Sequence, residues 1–268
     1  MKVANKVFVV TGGGNGIGRQ IVLLLVQKGA QVAAVDISEQ GLLETKGLAG
    51  DLSSKISTHV VNITDLKTVE GLVDQVTAFH GSVDGLINNA GIIQPFVLLN
   101  DLTYPQMERI MNVNFYGMLY MTKTFLPVLL KRPEAHIINL SSMGGFLPVP
   151  GQTLYGASKA AVKLLSEGLR SELLSTKIHV TVVFPGAIGT NIAVNSGVVT
   201  KEEAVSRDSG KIKFSTPEFA AQVIVDGIEK NKYHVLVGND AKLMDFLSRL
   251  APERAAKIIY GQMKSLLP

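Results

Sequence analysis

Seven short apolar runs, near residues 6–10, 31–35, 56–61, 83–87, 136–140, 179–184 and 233–237, recur along the chain between longer stretches with helical spacing. The runs are rich in Val and Ile and lack the polar alternation of a half-exposed sheet. They predict strands covered on both faces. Among the intervening stretches, residues 19–28 carry Ile21, Leu24 and Leu25 at helical spacing. Residues 104–126 predict another helix, opened by Thr103-x-x-Gln106 in the pattern of a capping box. Strands alternating with helices predict an α/β fold, and right-handed crossovers make it a doubly wound, seven-stranded parallel sheet with its site at the carboxyl ends of the strands. No repeat, low-complexity tract or linker divides residues 1–268, so a single domain is expected. Within it, residues 187–214 read as a substrate lid and 239–268 as a helical tail.

Composition narrows the function. Charged residues make up 18% of the chain and mean hydropathy is +0.27, so much surface should be buried, part of it against other copies of the chain. A net charge of +4 without a Lys/Arg run argues against nucleic acid as a partner. The absence of cysteine excludes disulfides, thiolate chemistry and Cys-based zinc sites. His59, His80, His136, His179 and His234 are scattered without metal-ligand spacing, so no metal is expected. The first strand begins almost at Met1, leaving no room for a signal peptide. The longest aliphatic runs, such as residues 21–26, fall far short of the ~20 residues of a membrane span. A cytoplasmic protein with a small-molecule substrate is the expectation.

The first strand runs directly into Thr11-Gly12-Gly13-Gly14-Asn15-Gly16-Ile17-Gly18 and then a helix. A buried strand, a Gly-rich turn and a helix N-terminus together present backbone N–H groups to a pyrophosphate. Asp36 ends the second strand about twenty residues on, where an acidic side chain accepts hydrogen bonds from ribose hydroxyls. A carboxylate there repels a 2′-phosphate and Ile37 offers no cation to hold one, which favours NAD(H) over NADP(H). Arg19 is the one dissenting cation, and it should point along its helix. Tyr155 and Lys159, four residues apart, fall on one helix face. A fixed ammonium beside a phenol favours the phenolate and would draw its pKa toward the working range.

Thr11-Gly12-x-x-x-Gly16-Ile17-Gly18, Asn88-Asn89-Ala90-Gly91, Asn114, Ser142, Tyr155-x-x-x-Lys159 and Pro185-Gly186 occur in order and at family spacing. In these motifs the chain resembles the short-chain dehydrogenase/reductase family, in its compact single-domain branch with a Rossmann sheet. The resemblance is strong from residue 3 to about 192 and weak beyond. It implies a catalytic set of Asn114, Ser142, Tyr155 and Lys159. Tyr155 would be the general acid/base; Lys159 would lower its pKa and hold the nicotinamide ribose; Ser142, or its neighbour Ser141, would bond the substrate oxygen. Asn114 would hold a water linking Lys159 to solvent. The resemblance also implies an NAD site built from Gly12, Gly14, Asn15, Gly16, Ile17, Gly18, Asp36, Ile37, Asn62, Ile63, Asn89, Ala90, Gly91, Tyr155, Lys159, Pro185, Gly186, Ile188 and Thr190. Asn62-Ile63 departs from the usual Asp before an aliphatic residue, which implies altered readout of the adenine.

Two stretches are expected to shape the substrate pocket: 143–154, with Met143, Phe146, Leu147, Val149 and Leu154, and 192–214, beginning Ile192, Val194, Val198. With Ile92, Ile93 and Phe96 they suggest a lipophilic secondary alcohol or ketone. The tail places Leu243, Phe246, Leu247 and Leu250 on one helix face, with Pro252 opening the next helix. It reads as helices packed on the body or on a second subunit, against a membrane-surface or entry flap. Through helices matching 104–130 and 153–175, family members associate, so a homodimer or homotetramer is expected. A 3-ketoacyl reductase of fatty-acid metabolism and a non-catalytic NAD sensor are the alternatives; Asp36 and the tail argue against the first, the four-residue set against the second.

Overall fold

A computed structural model describes residues 1–198, 200, 214–264 and 267 of the chain. Half of the expected lid, residues 199 and 201–213, lies outside them, as do residues 265, 266 and 268 of the tail. Seven strands, β1 (Val7–Thr11), β2 (Gln31–Asp36), β3 (Ile56–Val60), β4 (Gly85–Asn88), β5 (Ala135–Leu140), β6 (Ile178–Pro185) and β7 (His234–Val237), form one sheet in the order β3-β2-β1-β4-β5-β6-β7. Every pairing is parallel. The helices are α1 (Gly16–Gln27), α2 (Glu39–Leu48), α3 (Leu66–His80), α4 (Tyr104–Met111), α5 (Met118–Leu129), α6 (Thr153–Glu172), α7 (Ile192–Asn195), α8 (Pro217–Glu229), α9 (Asn239–Leu250) and α10 (Pro252–Met263).

Successive strand residues point to opposite faces, and both faces are dry. Phe8, Val10, Val32 and Ala34 meet Ile21, Val22 and Leu25 of α1 and Ile224, Val225 and Ile228 of α8. Val9, Ala33, Val35, Leu86 and Ile137 meet Leu72 and Val76 of α3 and Met121, Phe125 and Leu129 of α5. The doubly wound sheet is therefore as the apolar runs predict. The order of strands reverses between β1 and β4, and the crevice above that switch point is where such sheets bind ligands.

The boundaries differ from expectation in four places. The expected helix over 104–126 is two helices, joined by a wider π turn at Asn112–Gly117, and the second runs on through Pro127 to Leu129. π turns insert an extra residue per turn and are common at functional sites, and this one carries Asn114. The capping box at Thr103 and Gln106 forms as expected. Strand β4 starts at Gly85; just before it the Asp84 carboxylate accepts the Val7 N–H at 3.0 Å and Arg132 Nε at 2.8 Å, while its main chain bonds Val7 and His136. Helix α1 starts at Gly16 rather than residue 19, so the last glycines of the turn are already its first residues.

The tail packs on the body, but not with the whole expected face. Ala241 and Met244 are buried and Leu247 is partly buried, whereas Leu243, Phe246 and Leu250 are 58%, 60% and 69% exposed. Met244, Ala255 and Ile259 form a small core with Leu147 and, at its edge, Met143, Phe146 and Val149. The segment between Ser142 and Tyr155 is thus held from behind by the tail. Among the described residues no helix is long and apolar enough to cross a membrane, and no group of His, Cys, Asp or Glu is placed to hold a metal.

Candidate active site

The Gly-rich turn folds back on itself at the mouth of the crevice. Gly12 has φ +68°, the left-handed conformation that side chains rarely adopt. A Cβ on Gly18 would stand 2.0 Å from the Gly12 carbonyl oxygen, so α1 can approach the end of β1 only as glycine. Asn15 precedes α1 without a side-chain cap bond, and no acidic residue occupies the first turn. The first-turn N–H groups are therefore left to an anion from outside the helix. Thr190, from the loop after β6, closes over this end, 3.4 Å from where a Gly16 Cβ would be.

Asp36 lies beside the turn. Its carboxylate accepts the Gly14 N–H at 2.9 Å and the Ser38 N–H at 3.0 Å. Arg19 is drawn away from it: its guanidinium donates to the Gly14 carbonyl at 2.5 Å, Thr45 Oγ1 at 3.1 Å and Glu44 Oε2 at 2.8 Å. Neighbouring Ile37 is exposed. Asn62 makes a local turn, its Oδ1 accepting from the Thr64 N–H and hydroxyl, while Ile63 is buried against Gly117 of the π turn. Asn89 joins β4 to the Gly-rich turn: its Nδ2 donates to the Thr11 and Gly12 carbonyls, and its N–H to Thr11 Oγ1. Its side chain is spent on scaffold. Pro185 and Gly186 close β6, and Ala187 N–H donates to the Asp240 carboxylate at 2.7 Å. The Ile188–Ser215 bridge ties the two ends of the expected lid together.

Four expected catalytic residues converge between β5 and α6. Ser142 and Ser141 divide their work as strand alternation requires. Ser141 Oγ is buried and donates to the Lys159 carbonyl at 2.7 Å, whereas Ser142 Oγ accepts the Gly144 N–H at 3.1 Å and hydrogen-bonds the Tyr155 phenol. Lys159 is 5% exposed and its Nζ donates to the Leu140 carbonyl at 3.0 Å. Gly91 lies over Lys159 and Asn114; a Cβ there would be 3.1 Å from Lys159 Nζ and 3.2 Å from Asn114 Oδ1. The Asn114 amide is already engaged, accepting the Ile92 N–H at 2.8 Å and donating to the Ile92 carbonyl at 2.9 Å and Ser158 Oγ at 3.0 Å. The expected water is thus left to its main chain.

The electrostatics depart from expectation. Burial raises the Tyr155 phenol above its ordinary 10.0, and the bond with Ser142 works against that. The Lys159 ammonium donates to the Leu140 carbonyl and lies under Gly91. Burial lowers Lys159 itself from 10.5 to about 8. Ala90 N–H donates to Thr11 Oγ1. Three participants escape motif reading: Ser158 links the Asn114 amide to the Tyr155 carbonyl; Leu140 anchors Lys159 through main chain; and Asp240 comes from the tail. Ser158 sits inside the Tyr-x-x-x-Lys spacing and could have been read from it; a carbonyl and a carboxylate 53 positions from its partner leave no local signal.

Residues 6–198 match the short chain dehydrogenase family. The fold, the site and this match make the chain a member of the short-chain dehydrogenases/reductases. SadH of Mycobacterium tuberculosis, which carries a provisional oxidoreductase name, is 34% identical over 268 residues, covering 98% of this chain and 97% of the relative. The 3-oxoacyl-[acyl-carrier-protein] reductase FabG of Thermotoga maritima is 35% identical over 226 residues, 84% of this chain and 91% of that protein. Among solved structures, a short-chain dehydrogenase/reductase from Burkholderia phymatum in complex with NAD superposes with TM-score 0.82 at 23% identity, over 93% of this chain and 96% of that one. One from Burkholderia cenocepacia in complex with NADP gives 0.79 at 23% identity, over 97% and 99%. The chain is an oxidoreductase of this family that acts on CH–OH groups with a nicotinamide dinucleotide.

Proposed function

We propose that the chain interconverts a lipophilic secondary alcohol and its ketone with NAD(H), Tyr155 being the general acid/base. The observation that carries this is the meeting of the Ser142 hydroxyl and Tyr155 ring at Gly144, one helix turn from the Lys159 ammonium that lies under Gly91 and bonds the Leu140 carbonyl at the end of β5. The residues present fit a dinucleotide: the open first turn of α1 suits the pyrophosphate, Asp36 the adenosine ribose, Lys159 the nicotinamide ribose, and Ile188 and Thr190 the carboxamide. When bound, the dinucleotide supplies or accepts the hydride.

The protein's part is position and proton. In the direction of reduction, Ser142 Oγ–H and Tyr155 Oη–H both donate to the carbonyl oxygen of the substrate, fixing it in the crevice. A phenol kept protonated by burial is the form that can give its proton to that oxygen as charge develops there. Lys159 remains cationic below about pH 8 and stabilises the phenolate left behind. A water on the Asn114 main chain, within the π turn, would return the proton from solvent. NAD(H) over NADP(H) is supported by Asp36, by exposed apolar Ile37, and by the engagement of Arg19 with the turn. Association as a homodimer or homotetramer and a cytoplasmic location accompany this reading.

Absorbance at 340 nm with NAD⁺ and NADP⁺ against a panel of secondary alcohols, steroids and diols tests it, with Tyr155→Phe as control. Turnover with NAD⁺ that falls at least a thousandfold in the control is expected. A tenfold NADP⁺ preference, or a diol turned over hundreds of times better than cyclic or long-chain alcohols, defeats the corresponding part. Likeness to FabG over 84% of the chain supports a second reading, a 3-ketoacyl reductase. Oxidation of NADPH by an acetoacetyl thioester, faster than any NAD⁺-dependent alcohol oxidation, would establish it instead.

A further inference from the structure

Helix α6 carries both Tyr155 and Lys159, yet it begins without a cap of its own. The residue before it, Gln152, makes no side-chain bond to the first turn. The exposed N–H groups of a helix start must be satisfied from somewhere. Here two of them are satisfied from 60 and 61 residues upstream. The Oε1 of Gln94 accepts the Leu154 N–H and the Tyr155 N–H, both at 2.9 Å. The Nε2 of Gln94 donates to the Gly151 carbonyl at 2.9 Å, and its main-chain carbonyl accepts Gln152 Nε2 at 2.8 Å. Gln94 is 0% exposed, so these bonds do not compete with water.

The other end of the same segment is fixed as firmly. Ile92 is held through both its N–H and its carbonyl by the Asn114 amide, and the Ile93 N–H donates to Ser196 Oγ at 3.0 Å. Three consecutive residues thus bridge the π turn, the start of the lid segment and the amide of Tyr155. Ser158, which accepts from Asn114, closes the loop by donating to the Tyr155 carbonyl at 2.7 Å. Tyr155 is gripped at N–H and at C=O by the same assembly.

We propose that Gln94 is a positioning residue: it caps α6 from a distance and sets the Tyr155 phenol against Ser142 and the substrate oxygen. Its side chain is 0% exposed and its bonds go to the start of α6, so it acts through Tyr155. The role rests on Tyr155 being the acid/base, and placement errors of about 1 Å at such a group cost on the order of a hundredfold in rate.

The test uses three forms of the 268-residue chain: wild type, Gln94→Met, which keeps the length but neither acceptor nor donor, and Gln94→Glu, which keeps the acceptor and, as the neutral acid that burial favours, an O–H donor for the Gly151 carbonyl. Residue-resolved amide hydrogen exchange in saturating NAD⁺ should show Leu154 and Tyr155 exchanging at least tenfold faster in Gln94→Met, with Lys163 onward unchanged and Gln94→Glu close to wild type. Unchanged exchange at those two amides overturns the cap. With the fastest alcohol of the panel, kcat should fall at least twentyfold in Gln94→Met while KM and the NADH dissociation constant stay within threefold, and Gln94→Glu should recover most of the loss. A kcat within threefold of wild type, or losses shared equally by kcat and NADH binding, overturns positioning. If Gln94→Met does not fold, Gln94→Asn, one methylene too short to reach, takes its place in both measurements. A fully active Tyr155→Phe would instead overturn the acid/base reading while leaving the exchange result standing.

Discussion

Lys159 should make the fold weaker and the enzyme possible. Its ammonium is 5% exposed, and its described hydrogen bond is the 3.0 Å contact with the Leu140 carbonyl. Burial lowers its pKa from 10.5 to about 8. At about 1.4 kcal/mol per pH unit, holding the charged form in the folded state costs about 3 kcal/mol at neutral pH. Lys159→Met keeps the length and removes the charge; the lost hydrogen bond returns about 1 kcal/mol of that gain. A net stabilisation of about 2 kcal/mol follows. Unfolding entropy of about 2.1 cal/mol/K per residue over 268 residues converts this into a rise in Tm of about 4 °C. The sign with pH is fixed as well. Below about pH 8 the lysine is charged folded and unfolded, so the variant's advantage is complete. From about 8 to 10.5 the folded lysine is neutral while the unfolded one still binds a proton, so the wild type recovers as pH rises and the advantage disappears. Urea denaturation of both proteins at pH 7 and pH 10, with turnover measured in parallel, checks this. A variant less stable at pH 7, or an advantage that is the same at both pH values, refutes the reasoning. Turnover should fall by three orders of magnitude or more throughout.

Three further outcomes are expected. His80 and His59 both hydrogen-bond Ser57 Oγ at 2.8 Å, and burial, with His59 beside it, lowers His80 from 6.5 to about 4. Stability should therefore fall as pH drops from about 6.5 toward 4, by on the order of 1 kcal/mol after solvent screening, and His80→Gln should flatten that limb in urea titrations; an identical limb in the variant removes the assignment. Asp36→Ala should collapse the NAD⁺ over NADP⁺ ratio of kcat/KM at least tenfold, and an unchanged ratio would show that the carboxylate serves only the Gly14 and Ser38 N–H groups. Gly18→Ala places a methyl 2.0 Å from the Gly12 carbonyl and 2.5 Å from Asn89 Nδ2. It should destabilise by about 2–3 kcal/mol and weaken NADH binding, read by fluorescence, at least tenfold; near-native binding would mean that the turn opens at little cost.

The inner strands were legible because they are buried on both faces and run mainly in Val, Ile, Ala or Leu, whereas the edge strands β3 and β7 are only partly buried. Their edges were less so: beside the start of β4 the Asp84 carboxylate answers Arg132 and the Val7 N–H, both remote in sequence, so nothing local marks where the strand begins. The π turn at Asn112–Gly117 leaves the same residues apolar at near-helical spacing, so periodicity reads straight through it. The tail misleads for another reason. Leu243, Phe246, Leu247 and Leu250 do share a broad face, but the surface offered by Leu147 and its neighbours is narrow and takes up Met244 and Leu247, leaving the other three outside.

The site shows the same division between composition and placement. Motif spacing brings Ser142, Tyr155 and Lys159 to one point because a strand end and one helix turn have fixed geometry. What spacing does not convey is what each group spends its bonds on. Asn89 and Asn114 read as ligands for a cofactor and a water, yet their amides are consumed by Thr11, Gly12, Ile92 and Ser158. Lys159 reads as a charge acting on Tyr155, yet it bonds a main-chain oxygen and carries a depressed pKa of its own. Each of these groups is already tied into the protein before any ligand arrives, Lys159 through one of its three N–H donors, which limits how far they reorganise when one does. A site with little left to reorganise places its reactive phenol by main-chain bonds rather than by the ligand, so the residues that grip the Tyr155 N–H and C=O weigh on rate as much as those that touch the substrate.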